Sequence, residues 1–481
     1  MKLDTSLVQS RIDLAKQCLL NRHQHINLYG KSYLTWPLFF VDTVPAQSEE
    51  VDICTSGLGV VALSNFDGDE IKNLISASVN TIVSIRNVDG SWPSKISLTS
   101  KDNVSMEGVI SDTYFALSAL LKVDFLKDNP TIENITNLKT NQVLSTRNDR
   151  LGFVKKSIEW LLLNRVGQGW QYAGVSYLED QESRKSLPAY TTPTANALIV
   201  VSQFLSEMES IDKNDALIPR MKSAINDSVR WLCDIINAGE KGGVGIKLGE
   251  RARVSNTARV IVALCKAAKV TDSRLTNMIE ERLQKAVSWL ITNYTPSKIK
   301  PEDVNEDYFQ FYIVKDTEGN ATPLKRSTNH ESFIESIVIE GLHLYYSRIK
   351  DKDRKPFKPI QRVRLYLVMK TAVEQLITNQ LTSGSLVGAV KSRRTVNNEL
   401  YTMYACCDAI CILKLLLSDK NLFNKVKFSV RNMVVRALGV GIVALVITVL
   451  ACISTDAPWY ITTFLAIILP LFTNWISSKV F

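Results

Sequence analysis

The chain has 481 residues, 46% of them hydrophobic, with 57 Lys and Arg against 48 Asp and Glu. This apolar share excludes general disorder, and 8 Cys in so long a chain exclude a small disulfide-stapled scaffold. The formal net charge of +9 permits an anionic partner or a membrane surface without requiring either.

The N-terminus, MKLDTSLVQS, carries no apolar signal region, so a cytoplasmic body with reduced cysteines is expected. Along that body one unit recurs. An amphipathic helix ends in a Gly/Trp turn, as in YGKSYLTWP (Tyr29 to Pro37), IVSIRNVDGSWP (Gly90, Trp92, Pro93) and SIEWLLLNRVGQGWQYAG (Gly169, Trp170, Tyr172). The turn persists without its Trp in SVRWLCDIINAGEKGGVGI (Gly242, Gly243, Gly245) and faintly in NQLTSGSLVGAV (Asn379 to Val390). After each turn comes a variable loop and a second helix of small and aliphatic residues. These second helices are Asp52–Leu63, Ser111–Lys122, Thr192–Phe204, Ser255–Ala267, His330–Tyr346 and Asn398–Leu416. Ser, Thr, Asp or Asn near each start offers an N-cap. Small residues on both faces suit a buried helix, whereas the first helix of each pair is charged on one side and suits an outer ring. The expected fold class is all-α: an (α/α)6 toroid of six helix pairs over residues 1–420. An open solenoid is the alternative, disfavoured because it would leave one apolar concave face wet.

The Gly-x-Trp turns and the Thr-Ala-x-Ala-Leu inner helix resemble the prenyltransferase and squalene-cyclase repeat superfamily, most specifically at Asp89–Trp92 and Gln168–Tyr172. The resemblance spans roughly Leu7 to Leu417 and implies a toroid with a central cavity. It also implies two chemistries whose residues are largely missing. The cyclases use the middle acid of an Asp-x-Asp-Asp-Thr motif, and here Val109-Ile110-Ser111-Asp112-Thr113 puts Ser111 at that position. The prenyltransferases hold zinc with Asp, Cys and His, but this chain has 4 His and no Cys-x-x-Cys. No cofactor is therefore expected, and catalysis is not favoured. The one thiol cluster is Cys406, Cys407 and Cys411 with Asp408 on the last inner helix; three thiols and an acid can chelate zinc, but such a helix also uses Cys as a small apolar residue. The weak catalytic candidates are Asp112, Glu335 and Asp408, acids on otherwise apolar inner helices. A structural role beside a helix end or an Arg such as Arg259 competes for each.

The loops entering the inner helices all emerge at one end of a toroid, so their charges pool. They carry Lys95, Lys101, Arg184, Lys185, Lys247, Arg251, Arg253, Lys325, Arg326, Lys391, Arg393 and Arg394, diluted by acids such as Glu182, Glu250 and the run Glu302 to Glu306. With Trp92, Trp170, Tyr172, Tyr190 and Tyr401 nearby, that mouth suits a nucleotide-like or diphosphate ligand gripped by Arg. No phosphate-binding glycine loop accompanies it, because GEKGGVGIK follows no strand.

The apolar excess sits at the end. Residues 437–453 and 459–476 carry no charge, and each is close to the minimum for crossing roughly 30 Å of hydrocarbon. A transmembrane hairpin over 437–481 is expected, preceded by a basic linker at 421–436. Its flanking Lys and Arg predict an inner-membrane, two-span protein with both termini cytoplasmic. The leading functional expectation is a membrane-anchored sensor or effector that binds an anionic ligand and acts through its hairpin, as bacterial antiviral effectors do. A membrane-tethered terpenoid enzyme and a protein-binding scaffold are the alternatives. The expected partners are an anionic or isoprenoid-like small molecule, the bilayer and further copies of the chain, with nucleic acid not expected.

Overall fold

The structure, a computed structural model, describes residues 4–28, 31–37, 39–40, 50–93, 95–97, 108–127, 135–137, 140, 142–174, 187–294, 309–315, 321–327, 334–350, 359–392 and 400–418. Twelve α-helices occur among them. The odd-numbered ones are outer: α1 (Thr5–Arg22), α3 (Asp69–Ser84), α5 (Arg147–Leu163), α7 (Leu217–Ala238), α9 (Ser273–Asn293) and α11 (Pro359–Thr378). The even-numbered ones are inner: α2 (Ile53–Leu63), α4 (Ile110–Lys122), α6 (Thr191–Ile211), α8 (Val254–Ala267), α10 (Ile334–Lys350) and α12 (Met403–Ser418).

Each inner helix packs on the next, and α12 packs back on α2, so the inner ring closes. Outer helices α3, α7, α9 and α11 lie against the inner helix before them in sequence, and α1 lies in the same way against α12. The first and last helices thus complete the circle. The glycine turns show the same closure. Gly90, which follows α3, has φ +103°, and a Cβ there would stand 2.6 Å from the Lys156 carbonyl oxygen on α5. Gly388, which follows α11, has φ +87° and abuts the Leu14 carbonyl of α1 in the equivalent way. Only glycine combines this backbone with so close an approach.

The repeated Trp has a structural task. Trp36, Trp92 and Trp170 are fully buried, and each indole N–H donates to a carbonyl near the end of the preceding outer helix: Leu19 (2.9 Å), Ile82 (2.7 Å) and Leu161 (2.7 Å). A helix end leaves such carbonyls without partners, so the ring fills the core and closes the helix together.

The inner-helix Ser and Thr residues do something other than cap. Among α2, α4, α6 and α8 only α2 has a side-chain cap, Asp52 accepting from the Thr55 amide at 3.0 Å. Instead the fourth residue of each of α4, α6, α8 and α12 grips the turn. Thr113 accepts from the Trp92 amide (3.2 Å), Thr194 from Trp170 (2.9 Å), Thr257 from Val244 (2.9 Å), and the Cys406 sulfur from Val390 (3.3 Å). Short antiparallel strand pairs in the connections add a minor β component; the longest is Phe309–Lys315 with Ala321–Ser327.

The transmembrane part of the expectation is corrected. Among the described residues no helix is long and apolar enough to cross a membrane. The segments 437–453 and 459–476, with the linker 421–436, lie outside the described residues. The long helices are instead amphipathic or buried by neighbouring helices; α6, for example, is apolar because it packs against α4, α7 and α8. The described fold is accordingly a helical toroid, with no membrane hairpin among its residues. The two-span, inner-membrane assignment is corrected with it, and nothing among the described residues supports the membrane-effector reading.

Candidate functional site

A closed ring turns one register of every inner helix toward its axis. Counting from the first helical residue, the second position carries Cys54, Ser111, Thr192, Ser255 and Tyr404 on α2, α4, α6, α8 and α12. The sixth carries Leu58, Phe115, Asn196, Arg259 and Asp408. The ninth carries Val61, Ser118, Ile199, Val262 and Cys411. This spacing of four then three is one face of a helix. On α4 and α12 these positions are half-buried while their neighbours are buried, which marks a lumen. Glu340 on α10 joins the sixth-position level, where it and Arg259 both act on Asp408.

Asp408 is the most perturbed acid there. Burial pushes its carboxyl up from 3.8 to about 7; Arg259 pulls it back and Glu340 adds to the rise. Glu340 is half-buried and pairs with Lys266 of α8, Nζ to Oε1 3.3 Å. The Lys266 ammonium is opposed by burial, but Glu340 and Tyr114 more than offset this and hold its pKa above the usual value. Below Asp408, Cys411 receives a long contact from Asn65 Nδ2 (3.9 Å), and burial raises its thiol to about 12. Above it, the Tyr404 hydroxyl donates to Cys54 Sγ at 2.5 Å. The Tyr404 and Phe115 rings meet edge to face at 5.9 Å between centroids. Burial lifts both Cys54 and Tyr404 well above their usual ranges, so neither is an anionic nucleophile near neutrality.

The sequence candidates scatter. Asp408 and Arg259, both in the lumenal register, lie within electrostatic reach of each other. Asp112 is 2% exposed and sits within electrostatic reach of Cys54 and Tyr404, while Ser111 takes the half-buried lumenal position. Glu335 is fully buried and accepts from the Tyr294 hydroxyl at 3.4 Å, tying the end of α9 to α10. Trp92 and Trp170 are inside the walls as described, and Tyr172 stacks at a tilt on Tyr190 with centroids 5.3 Å apart. Arg251 is exposed and Arg253 half-buried before α8, where Lys247 pairs with Glu250 at 3.3 Å. Arg393 and Arg394 lie outside the described residues, as do the side chains of Lys325, Arg326, Lys391 and Tyr401, so the pooled basic mouth is not assembled among the described residues. The thiol cluster disperses: Cys406 holds the Val390 amide, Cys407 turns to Met403 Sδ (3.8 Å), and Cys411 faces the lumen. Among the described residues no three His, Cys, Asp or Glu side chains group as for a metal ion.

Sequence reasoning missed Lys266, Glu340, Asn196, Ser255 and Asn256. For Ser255 and Lys266 the signal was polar residues at four- and three-residue spacing on a helix otherwise apolar, with Arg259 between them.

No known protein-family profile matches this chain, and no curated protein matches it in sequence. Solved structures do match in fold. A sugar epimerase from a ruminal bacterium has TM-score 0.52 and 10% identity, covering 86% of this chain and 99% of that one. A family 76 glycoside hydrolase from a bovine Bacteroides thetaiotaomicron strain has TM-score 0.50 and 10% identity, covering 86% and 78%. The type II terpene cyclase MstE from Scytonema is more distant, with TM-score 0.44, 10% identity and coverage of 86% and 99%. In fold, the chain is an α/α toroid.

Proposed function

We propose that this chain is an enzyme that applies general acid–base catalysis to a small polar substrate held in its lumen, with Asp408 as the acid–base group. The supporting observation is a lumenal carboxyl raised to about 7 and flanked by Arg259 and Glu340 from the two preceding inner helices. A group half-protonated near neutrality gives and takes a proton with comparable ease. Arg259 limits how far burial can raise Asp408, and Lys266 holds Glu340 in place beside it. The fold is one that enzymes use, the sugar epimerase and the glycoside hydrolase among them.

A terpenoid substrate fits less well. Arg259, Glu340, Asp408 and Asn196 share one level of the lumen, and an apolar chain pressed against them would strip their hydration and return no hydrogen bond. Ser111 also offers no acid to protonate an alkene.

The test is turnover by the purified chain on sugars, sugar phosphates, uronic acids and prenyl diphosphates, followed by mass spectrometry. A polar substrate should be converted, and Asp408→Asn should lower the rate by roughly 10²–10⁴. Turnover of none of these, or turnover indifferent to Asp408→Asn, overturns the proposal.

A further inference from the structure

Two adjacent inner helices, α6 and α8, carry buried polar atoms without partners. Asn196, Ser255 and Asn256 are 3%, 6% and 2% exposed. The Asn196 Oδ1, the Ser255 Oγ and the Asn256 Nδ2 have no hydrogen-bond partner in the structure. Asn256 Oδ1 accepts from Thr192 Oγ1 at 3.4 Å, which links the first turns of α6 and α8 and fixes the free amide nitrogen. Asn196 and Ser255 both occupy the lumenal register, on adjacent helices, and Ser255 lies one turn from Arg259.

Buried polar groups are almost always satisfied, so three orphans within the first two turns of two adjacent inner helices need a reason. None caps its helix, and the turn-gripping task falls to Thr194 and Thr257 instead. Their chemistry is specific. One acceptor, one donor and one hydroxyl that does both match neighbouring hydroxyl groups, each of which also donates and accepts. Charge argues against an anion at this place. Lys266 is already tied to Glu340, and Arg259 already lies in the field of Asp408.

We propose that Asn196, Ser255 and Asn256 form the recognition subsite for an uncharged, hydroxyl-rich substrate, which they present to Asp408. This rests on the reading of Asp408 as the acid–base group. The subsite carries a stability signature opposite to that of a structural polar cluster. Orphaned groups destabilise the empty protein, so apolar replacements stabilise it or leave it unchanged while removing binding.

The experiment uses the full chain with D-mannose, D-glucose and N-acetyl-D-glucosamine as uncharged probes and D-gluconate and glucose 6-phosphate as anionic ones. Binding is read by ligand-observed NMR at millimolar concentration and thermal unfolding by calorimetry without ligand. At least one uncharged sugar should bind. Asn256→Leu and the milder Ser255→Ala should each weaken it about tenfold or more, and Ser255→Ala, which breaks no hydrogen bond, should keep a Tm equal to or above that of the unaltered chain. Asp408→Asn should bind that sugar and fail to convert it. Binding by the anions alone, binding by no probe, or subsite variants that bind normally would overturn the subsite. So would a fall in Tm for Ser255→Ala that accompanies its loss of binding. The two readings fail separately. Turnover unaffected by Asp408→Asn, with weakened binding in the subsite variants, removes only the acid. Asp408-dependent turnover confined to an anion removes only the subsite.

Discussion

Replacing Asp408 with Asn should make the protein more stable, and only above acidic pH. In the unfolded chain this carboxyl has its ordinary value of 3.8, whereas in the folded lumen burial raises it to about 7. Between those values the unfolded chain releases the proton and the folded chain keeps it, so stability falls as pH rises from about 4 to about 7. Below 4 both states are protonated and the penalty is absent; above 7 it is constant. A shift of about three units corresponds to at most roughly 4 kcal/mol. Asp408 is half-buried, and solvent screening at such a site reduces this to about 2 kcal/mol. Asparagine has the same shape and no proton to lose, so the penalty disappears. For 481 residues the unfolding entropy is about 1 kcal/mol/K, and the variant should melt about 2 °C higher at pH 8. At pH 4 the two melting curves should coincide. Calorimetry across pH 4 to 8 decides it. A difference that does not change with pH, or a variant that melts lower at pH 8, would refute the reasoning.

Three further outcomes probe the repeat. Trp170→Phe removes the indole donor to the Leu161 carbonyl and leaves a gap in the wall, at a cost of about 2–4 kcal/mol in urea unfolding. Thr194→Val keeps the shape but strands the Trp170 amide, so it should cost about 1–3 kcal/mol, whereas Thr194→Ser retains the hydroxyl and should be nearly neutral in the same assay. Gly90→Ala meets both the positive φ and the Lys156 carbonyl 2.6 Å away, so its unfolding midpoint should drop by more than that of Gly152→Ala, a helical site with open space around it.

The helix pairs and their Gly/Trp punctuation were legible in the sequence, because amphipathic period and turn chemistry are local properties. Inner helices such as Ser255–Ala267 were placed within a residue or so of where α8 runs, since an apolar helix of small residues has one environment to go to. Four things were not local. Ring closure depends on α1 meeting α12, and only a contact between the two ends of the toroid reveals that Gly388 repeats the task of Gly90. The thiol cluster, compact in sequence, points different ways because adjacent helical residues are about 100° apart: Cys406 and Cys407 go into the wall while Asp408 and Cys411 reach the axis. The apolar tail suggested a membrane hairpin from hydropathy alone, whereas among the described residues no helix is long and apolar enough to cross a membrane. The lumenal set of Arg259, Glu340 and Asp408 was the least legible part, since its members come from three helices spread over some 150 positions. What brings them together is the common register that a closed ring imposes on every inner helix, and burial at that shared level then sets the proton affinity of Asp408.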